Sequence, residues 1–194
     1  MAKKILFETD LTDTSSSDIE GIGSEREDQY GNKYRWVYNA SAFDSQVGSP
    51  ACYDVSLYSS ANFLKHVLAA PADEDTYFFA GIFVSAISTH EYGWIMTWGR
   101  YSTARVACAS GGEVGTGDML IPSTLTATDG TAASRPYAFI NGADISQAIG
   151  TGTGTAYTPS MMLDACARVI EAVTTGAGVD GTVPESATVF VKGL

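Results

Sequence analysis

The stretch from Tyr77 to Pro122 constrains this chain most. It reads TYFFAGIFVSAIS, then YGWIMTWGRYSTARVACAS, then GGEVGTGDMLIPS. Apolar runs of strand length are cut by glycine-containing turns about every ten residues, the spacing of a β-sandwich or barrel. Tyr77–Ile87 is apolar at both parities, as a strand buried on both faces must be. Gly93–Trp98 and Thr103–Ala109 read as its neighbours. The stretch contains two of the three tryptophans and no recognisable catalytic constellation. It therefore predicts a β-domain that holds a shape.

The rest of the chain extends that reading. Tyr30-Gly31-Asn32 and Val47-Gly48-Ser49-Pro50 are turn signals. Between them Lys33–Asn39 alternates, with Tyr34, Trp36 and Tyr38 on one face and Lys33, Arg35 and Val37 on the other, which predicts a strand. Ala51–Leu57 reads as another strand. Ala61–Ala70 fits a short helix or irregular chain. Ala187–Lys192 alternates and predicts a closing strand.

Two segments depart from the β pattern. Residues 8–28 contain eight carboxylates against Arg26 alone, a local charge of −7. This acidic stretch reads as an extended, poorly packed arm or loop, residues 1–28; the functional alternative is an arm that orders on a partner. Its removal is expected to leave a folded core. Near the other end Ser160 is a plausible N-cap and Gly176 a C-cap. Met162, Cys166, Val169, Ile170 and Val173 recur at helical spacing, which predicts an α-helix over 161–174. Asp164 and Arg168 would form a surface pair on it. The expected fold is mainly β: a small barrel or sandwich-like domain over 29–194 with a helix-bearing insertion at about 134–181.

Composition narrows the function. The chain has 194 residues, a net charge of −11 and only 17% charged residues. Nucleic-acid binding needs a positive footprint, so direct contact with DNA or RNA is not expected. Cys52, Cys108 and Cys166 are too few and too far apart for a disulfide framework or a zinc site, and read as small buried hydrophobes. No transmembrane helix or signal peptide fits, so synthesis in the cytoplasm and no membrane partner are expected.

The sequence nominates no catalytic, cofactor or metal residues. His66 and His90 lie in no ligand motif, and His90 beside Glu91 reads as an exposed loop residue. No GxSxG elbow or phosphate loop is present, and Gly150–Gly154 lacks dinucleotide-loop spacing. Asp73, Glu74 and Asp75 read as a solvated turn. Carboxylates paired in space for glycoside hydrolysis stay open, because such pairing leaves no sequence trace. The aromatic face of Tyr34, Trp36 and Tyr38 has two readings: core plus subunit interface, or a platform for stacking sugars.

The order of the fragments carries a resemblance. YGNKYRWVYNAS is followed by VGSPACYDV, FAGIFVSAIS, YGWIMTWGRYSTARV, GTGDMLIPS and a terminal ATVFVKGL. This resembles the capsid decoration, or cement, proteins of tailed bacteriophages, with their early "G…YRYV", "FAGV", "GW…VWG", "GD.L" and final "VFV" strands. The similarity covers roughly residues 20–125 and the last ten, and Ser134–Gly181 departs from it. The resemblance implies a β-rich, barrel-like virion structural protein without catalytic residues. It implies attachment to the outer surface of the assembled major capsid protein lattice. It also implies self-association, a homotrimer ahead of a dimer. Ile5, Leu6, Phe7, Tyr34, Trp36 and Tyr38 are then the candidate capsid or subunit interface. A carbohydrate-binding or fibre-type attachment module is the alternative.

Overall fold

The structure is a computed structural model and describes residues 7–69, 78–106, 115–122, 139–141, 166–171 and 185–193. The described residues form one sheet of eleven strands. In chain order these are β1 (Thr14–Ser15), β2 (Glu25–Glu27), β3 (Lys33–Asn39), β4 (Pro50–Tyr53), β5 (His66–Leu68) and β6 (Phe79–Phe83). Then come β7 (Tyr92–Val106), β8 (Met119–Pro122), β9 (Phe139–Asn141), β10 (Cys166–Glu171) and β11 (Glu185–Lys192). A single 3-10 turn, Val55–Leu57, sits between β4 and β5, with the Asp54 side chain accepting from the Ser56 amide.

The 15-residue β7 is the spine. Its first half pairs with β3, from Tyr38↔Tyr92 to Lys33↔Trp98, and with β6 through Ile82↔Met96 and Phe83↔Ile95. From β6 the pairing runs through β4 and β5, and β5 returns to β3 in parallel at Tyr38↔His66. These five strands close into a barrel. The second half of β7 pairs with β11, from Lys192↔Trp98 to Glu185↔Val106. Here too the pairings form a cycle, through β10, β8 and β9, with β9 meeting β7 at Val106↔Phe139. One strand thus serves two rings. Register shifts at Lys33/Tyr34 and Ala187/Val189 mark where the sheet bends between them, since a bulge bends its strand and steepens its twist.

The core follows the same division. Val37, Ala51, Tyr53, Val67, Phe83 and Ile95 on the strands of the barrel form one buried cluster with Ile87 of the β6–β7 connection. Trp36, Trp94, Met96 and Ile82 point to the other side of the barrel wall. There they join Ala104, Val106, Leu120, Phe139, Val169, Val189 and Val191 in a second cluster. Phe79 meets Phe139 edge to face at 5.5 Å, joining β6 of the barrel to β9 of the second ring. Each such side chain contributes about 1.5–3 kcal/mol on full burial, and closure leaves few free strand edges.

Three expectations change. Gly93–Trp98 and Thr103–Ala109 are not two strands: β7 runs unbroken through Gly99 to Val106. Residues 166–171 of the predicted helix form a strand, with Ala167 and Val169 buried and Arg168 and Ile170 exposed. Cross-strand pairing to β11 and β8 on both edges decides that conformation, and it outweighs local helix signals. The remainder of that helix, 161–165 and 172–174, lies outside the described residues, as does most of the expected insertion.

The third change concerns the acidic stretch. Residues 7–28 do not extend loosely. Thr14 and Ser15 pair with Gly93 and Tyr92, and Glu25–Glu27 pairs with β3. The arm lies on the outer wall of the barrel, and its polar side chains satisfy two buried tryptophans.

Candidate functional site

Two surfaces bear side chains suited to recognition: the arm against the barrel wall, and the exposed face of β7, β10 and β11. On the first, Phe7 packs edge to face on Trp94 at 5.4 Å, and the Arg26 guanidinium lies 5.5 Å from the centre of the Phe7 ring. Trp94 donates its indole N–H to the Thr9 hydroxyl at 2.9 Å, and that hydroxyl donates to Glu20 at 2.6 Å. Trp36 donates its indole N–H to Asp18 at 3.0 Å. Arg26 donates to the Thr9 carbonyl at 3.0 Å. The arm's acids and hydroxyls therefore complete hydrogen bonds that a buried indole requires.

The aromatic face expected at an interface divides. Trp36 is fully buried and Tyr34 nearly so within the chain's own fold. Neither is available to a sugar or to another subunit. Both belong to the second core cluster, against which Phe7 and Leu11 of the arm also pack, and neither contact could be inferred from alternation in β3. Tyr34 donates its hydroxyl to Asp28 at 3.0 Å. Burial first, and this hydrogen bond and the charge of Asp28 second, push the Tyr34 hydroxyl up to about 12. Phe7 is half-buried in the chain itself, and Ile5 and Leu6 lie outside the described residues.

Tyr38 alone of that row is accessible, and both histidines flank it. Its ring lies 4.8 Å from His66, 5.0 Å from Tyr92, and 6.1 Å from His90 in a near-parallel stack. Burial holds His66 below the ordinary histidine value, opposed by Asp54 and reinforced by Lys65. His90 is exposed and has a left-handed backbone, φ 65°. Arg35 donates to Glu25 at 2.7 Å and to the Tyr53 hydroxyl. Burial pushes that hydroxyl above its ordinary value. Among the described residues no group of three or more His, Cys, Asp or Glu side chains could hold a metal ion. Cys52 is buried; Asp73, Glu74, Asp75 and Cys108 lie outside the described residues.

The second surface was not visible in the sequence. Directly opposed residues of an antiparallel pair project to one face. The register places Lys33, Trp98 and Lys192 in one row, and Arg100, Phe190 and Arg168 in the next. All six are exposed. Trp98 and Phe190 meet edge to face at 5.1 Å and remain 42% and 37% accessible, so two large rings stay open to a partner. Among the described residues none of the four cations forms an ion pair, the one such pair being Arg35–Glu25. Alternation in ATVFVK sets Phe190 and Lys192 on one side. The missing signal is the register that brings them beside Trp98 and Arg100. Chemically this face offers cationic donors around an apolar centre, an arrangement suited to binding.

Comparison with protein-family models, with curated proteins and with solved structures found no match to this chain.

Proposed function

We propose that this chain is a virion structural protein, a capsid decoration protein that binds the outer surface of an assembled lattice of major capsid protein. Its copies self-associate there, as a trimer in preference to a dimer. The observation that carries the reading is where the motifs of the resemblance fall. The fragments containing KYRWVYN, PACY, FAGIF, YGWIMTWGRYSTARV, MLIP and ATVFVK contribute β3, β4, β6, β7, β8 and β11 of one doubly cyclic sheet. Such a body is stiff and presents fixed surfaces. A protein that binds the assembled lattice and not its free subunits stabilises the shell by mass action. Repetition over the lattice turns modest single contacts into avidity. The sugar-binding alternative loses its expected platform, because Tyr34 and Trp36 are buried in the chain's own core.

The test is co-sedimentation with particles of the same virus stripped of this protein. Saturable occupancy at a fixed ratio to capsid subunits, with a higher temperature of shell opening, is the expected result. Absence of binding at saturating protein overturns the reading.

A further inference from the structure

We infer that the face bearing Trp98, Phe190, Arg100 and Arg168 is a docking surface for the acidic amino-terminal arm of a second copy of this chain. The inference deepens the self-association part of the proposed function and is independent of what the particle is.

The chain has 22 acidic and 11 basic residues. Four of those 11 bases, Lys33, Arg100, Arg168 and Lys192, gather on two adjacent rows of one sheet face. Among the described residues the only carboxylate opposed to them in register is Glu27, beside Lys33, and Glu171 lies further along β10, accepting from the Thr188 hydroxyl. Two molecules of net charge −11 repel each other in most orientations. The repulsion is relieved where a basic face meets an acidic edge, so complementarity selects the orientation as well as the partner.

The arm supplies the complementary surface. It is fixed to its own barrel by Thr9, Asp18 and Glu20, yet Glu8 and Asp10 point to solvent. Ile19 on the same arm is 43% exposed, an apolar group to set against the Trp98 and Phe190 rings. Aromatic residues and arginine at the centre of a patch are the side chains that most often carry association energy. Arm and patch are different surfaces, so the contact is head to tail, and such a contact generates a ring when its rotation closes. A three-copy ring would be the trimer of the proposed function.

Sedimentation velocity of the full chain tests this, at increasing protein concentration and in low and high salt. Wild type is expected to associate, and more weakly as salt screens the contact. Two variants with far-ultraviolet dichroism matching wild type are compared: Arg100→Glu/Arg168→Glu, and Glu8→Lys/Asp10→Lys. Each alone should weaken association on the order of tenfold or more. Mixing the two variants should restore it, because each reversed surface then meets its new complement. If a charge pair misfolds, Trp98→Ala serves in its place and should also weaken association.

A wild-type chain that is monomeric at every concentration overturns the inference, as does association untouched by either reversal. A monomer that binds a poly-glutamate peptide through the same cations overturns it too, and reassigns the face to another polyanion. Capsid co-sedimentation of the reversed variants keeps the two proposals apart. Variants that stay monomeric in solution yet occupy the capsid leave the docking inference standing, whereas oligomers that do not bind capsids sink the decoration reading alone.

Discussion

Trp94 and Thr9 are 85 residues apart in sequence and 2.9 Å apart at the bond from indole nitrogen to hydroxyl. Trp94 is fully buried, and Thr9 supplies its acceptor. Thr9→Val keeps the shape and removes that acceptor, leaving a buried N–H unpaired. The expected loss is about 1–3 kcal/mol, read from urea unfolding. Thr9→Ser should retain most of the stability, because the relay to Glu20 survives. Equal losses for the two variants would rule out the hydrogen bond as the cause.

Removal of residues 1–28 is expected to do more than detach an arm. It uncovers one side of Trp94 and Trp36, takes away the Phe7 ring contact, and deletes β1 and β2. The loss should be on the order of 3–5 kcal/mol, with tryptophan fluorescence shifted to the red in the remaining fold. A truncated chain with unchanged emission and unfolding midpoint would show that the arm is dispensable to the core. The acidic composition of residues 8–28 pointed to solvation and did not reveal which acids accept from buried indoles.

Gly48 and Gly31 share a left-handed backbone, φ 83° and 82°, but differ in surroundings. Gly48 is pinned between strands, its amide donating to Phe83 and its carbonyl accepting from Arg105 at 2.9 Å each. An added Cβ there would collide with the Thr103 carbonyl oxygen, whereas at Gly31 it meets open space. Gly31→Ala should therefore cost about 1–2 kcal/mol, the backbone penalty alone. Gly48→Ala should cost about 3 kcal/mol or more. Similar unfolding midpoints for the two variants would remove the steric part of this argument.

What the sequence revealed and what it hid separate along local and long-range lines. β3, β6 and β11 were legible because alternation, or an unbroken apolar run, is written into consecutive residues. The same alternation exists in Cys166–Glu171, yet the apolar positions there also satisfy helical spacing, and only pairing on both edges distinguishes the two. β5 is three residues long and takes its conformation from parallel pairing with β3 and antiparallel pairing with β4. Gly93–Trp98 and Thr103–Ala109 read as separate strands, but β11 and β3 take up β7 on opposite edges at Trp98 and carry the strand through. The basic face had no sequence signature, since Lys33, Arg100, Arg168 and Lys192 meet only through the register of four strands.

The Tyr34–Asp28 hydrogen bond predicts loss of stability at both ends of the pH scale. Burial works against ionised Asp28, but hydrogen bonds from the side chain and backbone of Asn32, the backbone of Tyr30 and the Tyr34 hydroxyl outweigh it. Together they hold its pKa below the ordinary 3.8. Its stabilisation is present above that value and is lost as pH falls through the lower folded value. Tyr34 has the opposite sign: raised from 10.0 to about 12, it stabilises below 10 and loses that contribution as pH rises through about 12. Urea midpoints measured against pH should show the alkaline fall diminished in Tyr34→Phe and the acid fall diminished in Asp28→Asn. A Tyr34→Phe profile that tracks wild type above pH 10 would place the alkaline transition elsewhere.

The Trp98–Phe190 contact separates folding from association. The rings touch at 5.1 Å across β7 and β11 while both remain over one third exposed. In the isolated chain each gains only part of the burial available to a core side chain. Trp98→Ala and Phe190→Ala should therefore each cost about 1 kcal/mol of folding stability, with a coupling near 0.5 kcal/mol in a double-mutant cycle. Where a partner covers both rings, the remaining exposed area is buried and the same truncations weaken association by a larger factor. Unfolding of dilute monomer and sedimentation at high concentration measure the two effects separately. Association less affected than folding would mean that the rings only brace β7 against β11 and meet no partner.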